Sequence, residues 1–389
     1  MMRNLPSEYA VRNLGRSRAR LAATVLGSAL VVSLVIAAAA FVRGMERSLV
    51  MDADESNVVM LAAGSEESIE RSQIDSNTAG IIAADVPGIK NRLGKPYVSP
   101  EIHVALIVRT ERAAGEEYRA LVRGVTGAAL LVHPRVQIVA GRAPVPGNDE
   151  IMVGGMAAAK MGVDEESLRL GNALWFDNRP WRIVGRFRAP RSVMDAEVWA
   201  PLSDLQVATK RGTLSCVVIT LENAEFADVD AFTKMRFDLG LSAIPETDYY
   251  AALMRFYRPV HAMIWTTAML IAVAGLLGGL NTTYAAFASR VREVGMLQSL
   301  GYSRSAVAAS LVQESVLASA AGTLLGSALS MIVIPGHAVR FSMGVFQMTV
   351  DHQVLLTGLA AGLFMGVVGA LPPAWRCLRL PISEALKAV

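Results

Sequence analysis

Residues 289–307, SRVREVGMLQSLGYSRSAV, decide how the chain is read, because they lie between two long apolar runs and have to leave a bilayer and re-enter it. The stretch carries Arg290, Arg292 and Arg304 against a single acid, Glu293. An excess of arginine in a short connection marks the cytoplasmic side of a membrane. Val291, Val294, Leu297 and Leu300 recur at helical spacing beside Arg292, Glu293, Gln298 and Ser299, the pattern of a short amphipathic helix at a membrane surface. Gly301 is placed to end that helix in the left-handed conformation, and Ser303 or Ser305 to cap the next one. A helix, a glycine break and a second helix suit a piece that docks onto a cytoplasmic partner; the same periodicity also fits a solvated connector.

Working outward, the 389-residue chain has a mean hydropathy of +0.39, a 53% hydrophobic content and 18% charged residues, so its charge has to be segregated from its apolar runs. Residues 21–42, 263–287, 306–334 and 354–371 each suffice to cross a hydrocarbon core of roughly 30 Å. The expected fold is an integral membrane protein: four transmembrane α-helices with a large α+β extracytoplasmic domain inserted between the first and second. Residues 1–20 form a cytoplasmic amphipathic N-terminus, 21–42 the first span and 43–258 the inserted domain. Then come a second span at 259–288, a cytoplasmic coupling segment at 289–304 and a third span at 305–335. A short extracytoplasmic loop at 336–352, a fourth span at 353–372 and a cytoplasmic C-terminus at 373–389 complete the chain.

Charge sets the orientation. Residues 43–258 hold 25 Lys/Arg against 29 Asp/Glu, leaving 12 of the 37 basic and 5 of the 34 acidic residues elsewhere. That basic excess gathers at Arg3 to Arg20, Arg290 to Arg304 and Arg376 to Lys387, which four spans place on one side, so both termini are expected in the cytoplasm. A signal peptide cleaved near Ala38 to Ala40 is the rival for the first run, but the run is too long for one, and an uncleaved first helix is expected. Cys216 and Cys377 then lie on opposite sides, and the inserted domain folds without an internal disulfide.

Within the insert, residues 43–89 read as mainly helical and polar, with acid clusters that lack the spacing of a calcium loop. Beyond Pro96, strands are expected at 103–110, 119–125, 137–139, 150–153, 173–176, 182–184 and 215–221, with helices at 156–161 and 226–238. Glycines recur four apart in the later spans: Gly275 and Gly279, Gly322 and Gly326, and Gly358, Gly362 and Gly366; the first span has Ala29, Ser33 and Ala37. Small residues at that interval let membrane helices approach closely, so a compact bundle is expected, with contact surface for a second copy. Glu314 is the acid well inside an apolar run; it reads either as an intramembrane functional residue or as a group near the interface on a helix that projects into the cytosol.

No GxxxxGK[ST] phosphate loop and no GxSxG elbow occurs in the sequence, and the histidines at 103, 133, 261, 337 and 352 show no metal-ligand spacing. No catalytic residue and no metal site is therefore expected, nor any nucleic-acid patch, the basic residues being accounted for by the membrane flanks.

The stretch RVREVGMLQSLGYSR, residues 290–304, resembles the cytoplasmic signature of the FtsX/MacB-type permeases of ABC transporters, R-x-x-E-[IV]-G-x-L-[RK]-[AS]-[LI]-G-[AY]-[ST]. It matches at Arg290, Glu293, Val294, Gly295, Leu297, Ser299, Leu300, Gly301, Tyr302 and Ser303, and departs at Gln298. The entry AVRNLGRSRAR at residues 10–20 and the tail PAWRCLRLPISEALK at 373–387 are similar to the family's ends, and Glu314 falls where it commonly carries a glutamate. The AGR at 140–142, GNDEIMV at 147–153, WRIVG at 181–185 and VWAPL at 198–202 resemble its periplasmic core domain. The resemblance implies an inner-membrane permease that is not itself an enzyme, and that binds no cofactor, with ATP and Mg on a separate ABC ATPase subunit. Arg290, Arg292, Glu293, Val294, Gly295, Leu297, Leu300 and Gly301 would form the ATPase-coupling helix. A second copy or sister permease, a periplasmic adaptor and membrane lipid are the other implied partners. Export or extraction of a substrate is the expected work; the alternatives are a mechanotransmitting subunit that regulates an external protein, and a four-span sensor or receptor.

Overall fold

The computed structural model describes residues 14, 18–50, 55–111, 116–190, 192–341 and 344–379. The basic residues before Arg18 and after Arg379, and with them the family-like entry and tail, fall largely outside this set. The described chain divides into two compact units, one ending its first segment at Gly44 and resuming at Pro259–His337 and from Met348, the other formed by Met45–Arg258 and Ala338–Gln347.

The second unit is α+β. Ten strands build its sheet: β1 (Asn57–Ala62), β2 (Val98–Val108), β3 (Tyr118–Val125), β4 (Gln137–Gly141), β5 (Glu150–Gly154), β6 (Ala173–Phe176), β7 (Arg179–Arg188), β8 (Val198–Pro201), β9 (Cys216–Thr220) and β10 (Leu241–Pro245). Their order is β10-β1-β9-β2-β3-β8-β5-β7-β4, with β6 paired to β7. The pairs are antiparallel except β3 with β8 and β5 with β7. The long strand β2 is shared: residues 98–101 pair with β9 and residues 102–108 with β3. The core is aliphatic with buried Trp181, Trp199 and Phe187. The run Asn57–Ala62, expected in a helical region, is a central strand. Val58, Val59, Met60 and Leu61 are all buried between β9 and β10, and a strand covered on both faces loses the alternation by which strands are recognised. The short strands β8 and β10 likewise lie beyond the expected set.

The first unit carries the membrane helices. Helices α1 (Arg18–Val50), α2 (Glu246–Ala288), α4 (Arg304–Val333) and α5 (His352–Arg379) are long and apolar enough to cross a membrane, and α3 (Val291–Ser299) is the short helix between α2 and α4. The glycines act where backbones meet. A Cβ at Gly322 would lie 2.4 Å from the Val25 carbonyl oxygen, and one at Gly326 2.5 Å from that of Ala29, so no other residue fits there without separating α1 from α4. Gly358 abuts Ile36, Gly362 abuts Thr323 and Gly366 abuts Ser319, which closes α5 onto α1 and α4. Hydroxyls reinforce the seam: Ser33 Oγ donates to Gly326 O at 3.2 Å and Ser319 Oγ to Gly362 O at 3.0 Å. The span in α2 stands apart, with 6% of its apolar window buried against 44%, 39% and 33% for the other three. Gly275 meets Val31, but at Gly279 a Cβ would have no atom of the described residues in contact.

Candidate functional site

α3 forms because Val291, Val294 and Gly295 fall on one face. Val291 and Val294 pack with Ala286 and Phe287 of α2, Val307 and Leu311 of α4, and Ala374 and Leu378 of α5. Leu297 is partly buried on the same seat. Leu300 is not on it: at 3.6 residues per turn it falls on the opposite side of the helix from Val291, and it is 64% exposed. Gly301 sits at φ 90, where a side chain would be strained, and Ser303 Oγ accepts from the Ala306 amide at 3.1 Å to start α4. Arg292, Met296, Ser299 and Leu300 point away from the seat.

Charge joins this helix to the bundle. Arg290, at the N-cap of α3, donates from Nη1 to Glu314 Oε2 at 2.6 Å and from Nε to Glu293 Oε2 at 3.1 Å. Arg20 of α1 donates to the other oxygen, Glu314 Oε1, at 3.2 Å. Glu314 lies roughly 15 Å along α4 at 1.5 Å per residue and is 7% exposed, a depth at which an ionised carboxylate needs partners. It is a buried group bridged by two arginines. The family-like glutamate was legible in the sequence; its partner Arg20 was not, since 294 residues separate the two.

The inserted unit holds a second, fully buried network that no spacing in the sequence announces. Strand register assembles it. Glu101 faces Cys216 across β2 and β9, His103 faces Arg123 across β2 and β3, and Arg123 lies beside Trp199 across β3 and β8. Residues two apart share a face, which adds Glu197 to Trp199 and Glu101 to His103. Arg123 grips Glu197 with two hydrogen bonds of 2.7 Å and donates to Glu101 Oε2 at 2.8 Å. His133 reaches Glu101 Oε1 at 2.9 Å and His103 reaches Glu101 Oε2 at 3.1 Å. Trp199 donates to Glu197 at 2.8 Å, and the Arg123 guanidinium stands 5.5 Å from its ring. Next to this, Asn57 of β1 donates to Glu246, the first residue of α2, at 2.8 Å, and accepts from Thr220 at 2.7 Å. A cavity of about 40 Å³ is lined by Glu101, His103, Arg123, His133, Glu246 and Tyr249 among others.

Burial pushes the Glu101 carboxyl up, but the Arg123 and His133 charges and the imidazole hydrogen bonds overcome it and hold Glu101 well below the usual carboxylate range. Glu197 is lowered in the same way, burial being outweighed by Arg123. The two histidines diverge. Burial and then Arg123 depress His103, whereas at His133 the charge and hydrogen bond of Glu101 outweigh burial and raise it. Burial pushes the Cys216 thiol well up. Glu101, His103 and Cys216 bring oxygen, nitrogen and sulfur donors within 4.8 Å of one another, a set suited to a divalent transition metal. Arg123 already occupies the cationic position beside Glu101, so the arrangement is better matched to an internal ion network than to a metal centre.

The model of the MacB-like periplasmic core domain matches residues 21–234, and that of the FtsX-like permease C-terminal region matches residues 265–382. The chain belongs to the MacB/FtsX-like permease family. This permease is 21% identical over 383 residues to the uncharacterized ABC transporter permease YknZ of Bacillus subtilis, covering 94% of each chain. It is 23% identical over 414 residues to the macrolide export ATP-binding/permease protein MacB of Shewanella sp. strain ANA-3, and spans 97% of its own length but 60% of that protein. Among solved structures, the periplasmic region of MacB from Actinobacillus actinomycetemcomitans is similar over 53% of the permease and 95% of that chain, at 11% identity and a TM-score of 0.39. The permease is a multi-pass membrane protein; Glu101, His103, Arg123, His133 and Glu197 lie inside the first matched region and Arg290 and Glu314 inside the second.

Proposed function

We propose that this permease is the membrane-spanning subunit of an ABC transporter and that α3 docks onto a separate ATPase subunit. The observation that carries this reading is α3 itself, an amphipathic helix with an apolar seat on three spans that leaves Arg292, Met296 and Leu300 outward. A basic rim around exposed apolar side chains suits a protein groove. Arginine in the connection and in the flanks of α1 and α5 supports the cytoplasmic placement of α3 and of both termini, in an inner membrane. The ATPase would supply ATP, Mg and the hydrolytic chemistry, and this chain would turn closure of that partner into movement of the inserted domain, for export or extraction of a substrate. The exposed apolar flank of α2 supports a second copy or a sister permease beside it, and the inserted domain is where a periplasmic adaptor would bind.

Affinity purification of the full chain from its native host in mild detergent, with mass spectrometry of co-purifying proteins, tests this. The expected result is a P-loop ATPase that is retained by the wild type and lost when Met296→Asp is combined with Arg292→Glu, with the permease still in the membrane. An additional adaptor would favour transport over force transmission. Recovery of a permease dimer with no ATPase would overturn the reading and favour a receptor.

A further inference from the structure

We propose that Glu314 is a positioning residue that makes α3, α1 and α4 move together, with the Arg290 arm fixed and the Arg20 arm releasable; for its role in energy coupling this rests on α3 being the docking helix. One carboxylate serves two guanidinium groups from two different elements. Arg290 binds it at 2.6 Å with 11% of its side chain exposed, and Arg20 at 3.2 Å with 27% exposed. The Arg20 contact is longer and wetter, and water competes best with such a contact. A cavity of about 40 Å³ lies against Glu314, lined also by Arg20, Thr24, Thr282, Thr283 and Phe287. That volume exceeds what one water needs, so a water has room to take the place of the Arg20 guanidinium at Glu314 Oε1 when the arm opens.

The consequence lies in which spans the clamp includes. Glycine contacts and serine hydrogen bonds already bind α1, α4 and α5 to one another. Glu314 ties the start of α3 to that set through Arg290 and secures the entry of α1 through Arg20. Among the described residues α2 gives the clamp no charged group: its last turn, Ala286 and Phe287, shares the seat of α3, but Thr266, Thr267 and Thr283 bond to the carbonyls of their own helix, and its window is the least buried. A push on α3 is therefore delivered to α1, α4 and α5 as one body, while α2 is joined to it at its last turn and the rest of that span is left weakly held.

The test uses the full chain in lipid vesicles. A spin label at Met296→Cys, exposed on α3, reports how firmly that helix is held. With Glu314→Gln the label should become mobile. Arg290→Gln should mobilise it as Glu314→Gln does, whereas Arg20→Gln, which leaves the Arg290 arm intact, should loosen it little. An unchanged spectrum in Glu314→Gln would overturn the clamp whatever binds α3. With the co-purified ATPase present, labels at Leu26 of α1 and Leu270 of α2, both exposed, measure their separation with and without ATP. The wild type should show a nucleotide-dependent change, and Glu314→Gln should retain the ATPase yet lose coupling of hydrolysis to that change by about tenfold. Full coupling in Glu314→Gln would sink the positioning role while leaving the docking reading intact. Failure of the wild type to hold any ATPase would sink the docking reading, and the mobility measurement would still decide the clamp.

Discussion

Two buried ionic networks, built from the same residue types, are organised differently. In the inserted unit Arg123 is 4% exposed, and its guanidinium fork is divided between Glu101 and Glu197, at 0% and 2%. Each carboxylate has further partners, and the whole network sits where adjacent strands fix the register. In the membrane unit one carboxylate serves two arginines, Glu293 at the rim is 35% exposed, and the contacts range from 2.6 to 3.2 Å. The first network is closed and over-determined; the second joins separate helices and is partly wet. Desolvated, fully paired charges hold one arrangement because any departure strands a charge away from water, whereas a half-exposed pair exchanges with solvent at little cost. The difference assigns a structural part to the first and a movable part to the second.

The sharpest way to break this contrast is Arg123→Met. It leaves Glu101 and Glu197 buried without their shared cation and should destabilise the inserted unit by about 3–5 kcal/mol, seen as a large fall in the thermal transition of the purified full chain or as loss of folded protein. A small effect would mean that the network is wetter than its exposures indicate. Next, Gly326→Leu attacks the close contact of α1 with α4 in the membrane unit. Its Cβ would lie 2.5 Å from the Ala29 carbonyl, and overpacking of this kind costs about 1–3 kcal/mol, whereas Gly279→Leu, with open space around it, should lie within about 0.5 kcal/mol of wild type. Thermal unfolding in detergent separates the pair.

The histidines sharpen the comparison through pH. His133 is raised above its ordinary 6.5, so its stabilisation is complete below 6.5 and is lost as pH rises through its native value. His103 is lowered, so its contribution is present above 6.5 and is lost as pH falls. Their slopes oppose. His133→Gln should make stability rise more steeply with pH above 6.5, and His103→Gln should make it rise less steeply with pH below 6.5, each by no more than about 1.4 kcal/mol per pH unit. Identical profiles for the two variants would show that the network does not distinguish the rings. Glu101 and Glu197, both lowered, add stability that disappears only as pH falls below 4.5. The smallest effect belongs to Arg20→Gln, expected to cost about 1 kcal/mol or less in thermal unfolding; a loss as large as that of Arg123→Met would make the two networks equivalent.

The membrane class, the four spans, the insertion of a large α+β domain between the first two and the helix Val291–Ser299 were all legible in the amino-acid order. These follow from apolar length, helical period and the flanking glycine and serine, all of which are local quantities. That order also located Glu314 as an acid out of place in an apolar run. The partners of that acid emerge only on folding, because Arg20 comes from the far end of the chain. The tertiary structure alone brought Glu101, Arg123, His133 and Glu197 to one point, since strand register and not spacing sets those neighbours. The one local trace was the pairing of Glu101 with His103, and of Glu197 with Trp199, at alternate positions of apolar strands, where a polar group has to find a partner. The strand Asn57–Ala62 stayed hidden for the converse reason: buried on both faces, it has no periodicity to read.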